Sequence, residues 1–255
     1  MKIVAIGGYL SENPAEESFN TPILIDEHVV AQSGKKHPDV LFLSTASSDE
    51  EGYVGGFYRT YEEKLGCHVD TLKLVTSKPT DTEIRDNIER ADIIYVGGGN
   101  TLKMMNLWRR HGIDALLRRA AVRGTVLAGE SAGSICWFRW GVSDSRQYYH
   151  GRLCHEYIRV SGLGLLPGAH SPHFGGPRSR RDRDQAIKTI MQRTPGACLC
   201  IQDGCAVSID GDRYRVISGH PDAHAYRTYW SHDRYVIEHL PEHGNIQDFE
   251  RSPHK

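Results

Sequence analysis

The 255-residue sequence predicts an α/β fold: a doubly wound, mostly parallel sheet with helices on both faces and an antiparallel C-terminal edge. Three observations predict it. Short β-branched runs at 2–6, 40–44, 69–75 and 92–96 alternate with segments of helical apolar spacing, the signature of successive βαβ units. The run Ile93-Ile94-Tyr95-Val96 is apolar throughout, as a strand covered on both faces must be. After residue 195 the pattern changes to strand-like runs with tight-turn signals and no helical segment between them.

In chain order, the first four runs are predicted as parallel strands. Gly97-Gly98-Gly99-Asn100 ends the fourth and opens a helix near Thr101, and a second helix is expected after Gly112. Residues 125–128 form the next strand, Gly129 breaks it, and 132–138 have the composition of a helix leaving that turn. From 141 to 176 the chain is rich in Gly, Ser, Pro and His with weak periodicity, which predicts long connecting structure around a site, with a short strand at 162–166. A helix is expected over 178–194, then strands at 197–201, 206–209, 214–217 and 223–229, with Asp210-Gly211 as a hairpin turn. With no internal repeat, low-complexity segment or interdomain linker, residues 1–255 read as a single domain.

Composition narrows the partners. Thirty-one Lys and Arg against 32 Asp and Glu leave a formal net charge of −1, so nothing global recruits nucleic acid or an anionic membrane. No apolar run is long enough to span a bilayer, and the N-terminus lacks the apolar run of a signal peptide, so the chain reads as cytoplasmic. The six cysteines contain no C-x-x-C pair and sit mostly in apolar stretches, as buried reduced thiols do. Fourteen histidines include His170-x-x-His173 and His220-x-x-x-His224, but no third ligand at a recognisable spacing, so neither a metal nor another cofactor is expected. The expected partner is a small molecule; a homo-oligomer is left open.

Gly129-Glu130-Ser131-Ala132-Gly133 matches G-x-S-x-G between a predicted strand and a predicted helix. In that context a strained turn lifts a serine hydroxyl above the sheet, small neighbours let a substrate approach, and the Ala132 N–H at the positive end of the helix can donate to a developing oxyanion. A glycine-rich turn that merely closes a strand is the bland alternative. Gly97-Gly98-Gly99-Asn100-Thr101, also at the C-terminal end of a strand, can supply a second oxyanion donor from Gly98 or Gly99, or cradle a phosphate. The G-x-G-x-x-G and P-loop patterns are absent, which disfavours the phosphate. A serine nucleophile needs a base. His173 lies in a Gly/Pro-rich loop beside Pro172, yet spacing alone does not choose it over His170 or His155.

Taken together and in this order, Gly-Gly-Gly-Asn-Thr at 97–101, Gly-Glu-Ser-Ala-Gly at 129–133 and Pro-His-Phe at 172–174 resemble the peptidase E family, with similarity from the first strand to about Ile217. The resemblance implies the doubly wound fold shared with class I glutamine amidotransferases and a serine peptidase of short peptides, typified by dipeptidases selective for N-terminal aspartyl residues. A related cyanophycinase-like isopeptidase, or a catalytically silent ligand-binding protein of the same fold, is the alternative. By position, the resemblance makes Ser131 the nucleophile, His173 the general base, and the Gly98/Gly99 loop with the Ala132 N–H the oxyanion hole. It favours Asp144 as the third triad member, with Glu156 and Asp203 as alternatives. Family members selective for aspartyl substrates hold the carboxylate with an arginine downstream of the histidine. Of Arg178, Arg180, Arg181 and Arg183, position against the helix that follows favours Arg183.

Overall fold

The computed structural model describes residues 1–8, 23–146, 156–175, 180–194 and 196–250, with the side chains of residues 180 and 181 left undescribed. The first half is a run of βα units: β1 (Lys2–Ile6), α1 (Ile23–Gln32), β2 (Asp39–Leu43), α2 (Glu51–Tyr58, prolonged by a π turn over Arg59–Lys64), β3 (His68–Leu72), α3 (Asp81–Arg90), β4 (Ile93–Val96), α4 (Thr101–Arg110) and α5 (Ile113–Arg123). Then come β5 (Val126–Glu130), the four-residue α6 (Ala132–Ile135), β6 (Phe138–Ser143), β7 (Ile158–Ser161), β8 (Leu166–Ser171), α7 (Arg180–Gln192), β9 (Ala197–Ile201), β10 (Cys205–Asp210), β11 (Arg213–Ser218), β12 (Ala225–Ser231), β13 (Arg234–His239) and β14 (His243–Asn245).

Local chemistry explains the helix ends. Thr80 and Glu83 form a reciprocal capping box on α3, the Asn100 side chain accepts from the Lys103 N–H at the start of α4, and Gly124 closes α5 in the left-handed conformation. The larger sheet has the order β14-β11-β10-β1-β5-β4-β2-β3. Its strands from β1 through β5, β4 and β2 to β3 pair in parallel, while β10 joins β1 antiparallel and β11 and β14 continue that edge.

Alternation along these strands separates the core into layers. Val4, Ile6, Phe42, Tyr95 and Ala128 pack with α1 and α2 on one face; Ile3, Ala5, Leu43, Ile94 and Leu127 pack with α3, α4 and α5 on the other. Helices on both faces and an antiparallel C-terminal edge are therefore present. Five described cysteines are free and buried; Cys154 lies outside the described residues.

Between residues 138 and 171 the architecture is richer than expected. The stretch read as connecting structure contains three strands, and the expected helix at 132–138 stops at Ile135. With β9, β12 and β13 these strands form a second sheet, β13-β12-β9-β8-β6-β7, in which β6, β8 and β9 are parallel neighbours. Leu199, Ile201, Phe138 and Leu166 bury its inner face in the core shared with the larger sheet. Its outer face, with Trp140, Val142, Cys198 and Cys200, is covered by Ile187 and Met191 of α7. The strand expected at 162–166 begins at Leu166, and the hairpin turn after β10 is Gly211-Asp212.

Candidate active site

Strands β1, β4 and β5 of the larger sheet and β8 and β9 of the smaller one all end at the same place. Parallel pairing makes this so: β4, β5 and β1 are parallel neighbours, and so are β8 and β9, so within each set the loops leave from one end. Open parallel sheets place their sites at such ends.

Ser131 follows β5 directly and has φ 51° and ψ −114°, a strained conformation for a residue with a side chain. Two anchors hold it: its N–H donates to the Ile6 carbonyl at 3.2 Å, and its own carbonyl accepts from the N–H groups of Ser134 and Ile135. The motif glycines allow the tight turn, since a Cβ at Gly133 would lie 2.0 Å from the Val96 carbonyl oxygen.

His173 sits just beyond β8, also at positive φ (55°), with its N–H donating to the Gly7 carbonyl at 3.2 Å. Its Nε2 lies 2.8 Å from Ser131 Oγ, and its Nδ1 lies 2.6 Å from Oδ1 of Asp203, just beyond β9. An ionised carboxylate only accepts, so Nδ1 carries the proton and Nε2 is left to accept from the serine hydroxyl. Gly8 packs so tightly behind the pair that a Cβ there would come within 2.3 Å of both the imidazole ring and the Asp203 carboxylate, and its carbonyl accepts from the Gly204 N–H.

The acid beside His173 corrects one expectation. Asp144 is directed elsewhere: it directly follows β6 and forms an ion pair with Arg183 at 3.3 Å. Its loop is pinned by Ser143 and Ser145, whose hydroxyls bond each other and reach the Thr101 hydroxyl and the Leu102 N–H. Glu156 pairs with Arg146 at the surface. The signal for Asp203 was in the sequence: an acid and a glycine one residue beyond the apolar strand Ala197–Ile201.

The Gly98 donor is a second correction. Its N–H already has acceptors in Glu130 Oε1 and the Tyr53 hydroxyl oxygen, both at 2.9 Å. Gly97 donates to the Leu43 carbonyl and Asn100 to the Ala46 carbonyl, so among the described residues Gly99 is the residue of this loop whose N–H has no acceptor. The Ala132 N–H belongs to the first turn of α6, where N–H groups lack an intrahelical acceptor.

Arg183, on α7, has a side chain 5% exposed, and its guanidinium stacks over the Tyr157 ring at 4.9 Å. Its Nε has no hydrogen-bond partner among the described residues. Of the other candidates, Arg178 lies outside the described residues, and the side chains of Arg180 and Arg181 are not described. His155 is also outside them. His170 is buried: Nδ1 donates to the Leu199 carbonyl at 2.8 Å, Nε2 meets the Ser134 hydroxyl, and the ring stacks on Phe138. Burial drives its pKa down to about 3, which keeps it neutral and makes it a poor proton acceptor. Among the described residues no helix is long and apolar enough to cross a membrane.

Comparison with known proteins bears on the fold and the family. The fold resembles the crystal structure of a peptidase from an acI-B1 actinobacterium, with a TM-score of 0.66 over 96% of both chains at 15% identity. Peptidase E of Streptomyces coelicolor is 25% identical over 145 residues, 55% of this chain and 57% of that protein. The protein named uncharacterized peptidase YgaJ of Bacillus subtilis is 34% identical over 228 residues, 89% of this chain and 91% of its own length. The sequence profile of Peptidase family S51 matches residues 10–217, well over half of the chain, and with so extensive a likeness to YgaJ the protein belongs to this family and is a peptidase.

Proposed function

We propose that the protein is a serine peptidase that cleaves short peptides through an acyl-enzyme on Ser131. The observation that carries this reading is the hydrogen-bonded series Ser131 Oγ, His173 Nε2, His173 Nδ1 and Asp203 Oδ1 at 2.8 and 2.6 Å, built on a serine held at positive φ. Ser131 Oγ attacks the scissile carbonyl while His173 Nε2 takes the hydroxyl proton. The carbonyl π pair moves onto oxygen, where the Gly99 and Ala132 N–H groups receive it. Collapse of the tetrahedral intermediate breaks the C–N bond, and the proton on Nε2 passes to the leaving amine. Water then attacks the ester by the same route, with His173 again the base, and releases the acid and Ser131.

Arg183 is assigned to substrate choice, holding the side-chain carboxylate of an N-terminal aspartyl residue. Its support is a guanidinium almost fully withdrawn from solvent that already binds one carboxylate, that of Asp144, through a single Nη2–Oδ2 contact at 3.3 Å, and that has an Nε without a partner among the described residues. A charge-assisted hydrogen bond contributes about 1.5 to 3 kcal/mol, so Arg183→Met should lower kcat/KM for aspartyl dipeptides by roughly ten- to a hundredfold and affect leucyl dipeptides far less. A panel of α-linked dipeptides and β-aspartyl peptides, run on wild type, Arg183→Met and Ser131→Ala, tests both assignments. Equal turnover of aspartyl and leucyl dipeptides would remove Arg183 from substrate choice, and preferred cleavage of β-linked peptides would make the enzyme an isopeptidase.

A further inference from the structure

The residue between Gly129 and Ser131 has no part in the proton relay, yet it is the most deeply committed charged group beside it. Glu130 is 6% exposed at the end of β5. Its carboxylate receives the Tyr53 hydroxyl and, at 2.9 Å, the Gly98 N–H, and the same N–H lies 2.9 Å from the Tyr53 oxygen. Tyr53 is carried on α2, in the helical layer on one face of the larger sheet. The three groups thus tie α2, the end of β5 and the loop after β4 into one knot directly under the serine.

The knot bears on one peptide unit. The peptide N-terminal to Gly98 is clamped by Glu130 and Tyr53, and the peptide N-terminal to Asn100 is clamped by the Ala46 carbonyl at 2.9 Å. Between them lies the Gly98–Gly99 peptide, whose N–H has no acceptor among the described residues. Glycines on both sides would leave this unit free to rotate if its neighbours were not held. Oxyanion stabilisation depends on a donor already aimed before charge develops.

We propose that Glu130 and Tyr53 are positioning residues: by holding the Gly98 N–H they aim the Gly99 N–H at the oxyanion formed on attack by Ser131. This rests on the serine-peptidase reading above. It makes Glu130 a functional choice at the variable position of the G-x-S-x-G turn and excludes Gly98 itself as a donor. The effect acts on the transition state, so kcat should fall while KM stays nearly constant. Glu130→Gln keeps an oxygen that can accept from both the Gly98 N–H and the Tyr53 hydroxyl, whereas Glu130→Leu keeps neither bond.

The experiment compares wild type, Ser131→Ala, Tyr53→Phe, Glu130→Leu and Glu130→Gln in dipeptide hydrolysis and in the rate of labelling by a fluorophosphonate, which also generates an anionic oxygen at the attacked centre. Tyr53→Phe and Glu130→Leu should lower kcat and the labelling rate by about ten- to a hundredfold at nearly unchanged KM, and Glu130→Gln should recover most of the Glu130→Leu loss. Wild-type rates in a folded Tyr53→Phe variant, or a raised KM with unchanged kcat, would overturn the positioning role and leave the serine mechanism intact. Absence of label on Ser131 in the wild type would overturn both. Tyr53→Phe removes a single oxygen, so it decides the matter even if Glu130→Leu fails to fold.

Discussion

Two aspartates could have stood beside His173, and the chain path decides between them. Asp144 leaves β6 and is drawn to the buried guanidinium of Arg183; Asp203 leaves β9, the parallel neighbour of the strand that carries His173, and so emerges beside it. Asp203→Asn should therefore lower kcat by about 10⁴, the scale seen when a triad histidine loses its orienting carboxylate. Asp144→Asn should leave hydrolysis of neutral dipeptides within a few-fold of wild type. Steady-state kinetics of the two variants checks this, and a larger loss in Asp144→Asn would reverse the assignment. His173→Ala should match Ser131→Ala in severity, with the double variant scarcely worse than either, because groups that act as a unit lose activity non-additively. Ser131 was legible because its motif has a fixed local geometry. His173 became legible only through the family resemblance, and Asp203 stood behind Asp144 as an alternative because its pairing with His173 is non-local.

At the scale of elements, the parallel strands and their covering helices were legible because each βα unit writes its own period into the sequence. The second sheet was not: β6 and β8 are short, contain Gly, Pro and His, and are stabilised by partners far along the chain. On α1, Asp26 lies in an apolar layer, 1% exposed, receiving the Tyr61 hydroxyl at 2.8 Å. Burial raises its pKa from 3.8 to about 7, and the nearby Glu130 is shifted in the same direction by the same cause. Between pH 4 and pH 7 the folded state thus holds a proton at Asp26 that the unfolded state has released, so stability falls as pH rises across that window. Asp26→Asn, which still accepts from Tyr61, should flatten this decline and stabilise the protein at pH 8 by up to about 4 kcal/mol. Denaturant unfolding at pH 5 and pH 8 measures it, and an unchanged pH dependence in the variant would show that Asp26 is not its source.

Across the whole molecule, the site exists because two sheets end at one place. The larger sheet supplies the strained serine and the glycine loop, and the smaller supplies the histidine and its acid. Gly7 and Gly8, just beyond β1, join them by hydrogen bonds to His173 and Gly204. Gly8→Ala should accordingly reduce activity far more than its small volume suggests, since the added carbon would meet the His173–Asp203 pair itself. Full activity in a folded Gly8→Ala variant would show that this contact does not constrain the pair. A linear reading sees Gly7-Gly8 only as the end of a strand; its role appears once both sheets are assembled. The most direct test of the central claim is mass-spectrometric mapping of the adduct after treatment with a fluorophosphonate. The account predicts one stoichiometric adduct on Ser131 in the wild type, loss of peptide hydrolysis in step with its formation, and almost no reaction in His173→Ala. An active enzyme left unmodified at Ser131, or Ser131→Ala retaining wild-type hydrolysis, would contradict it.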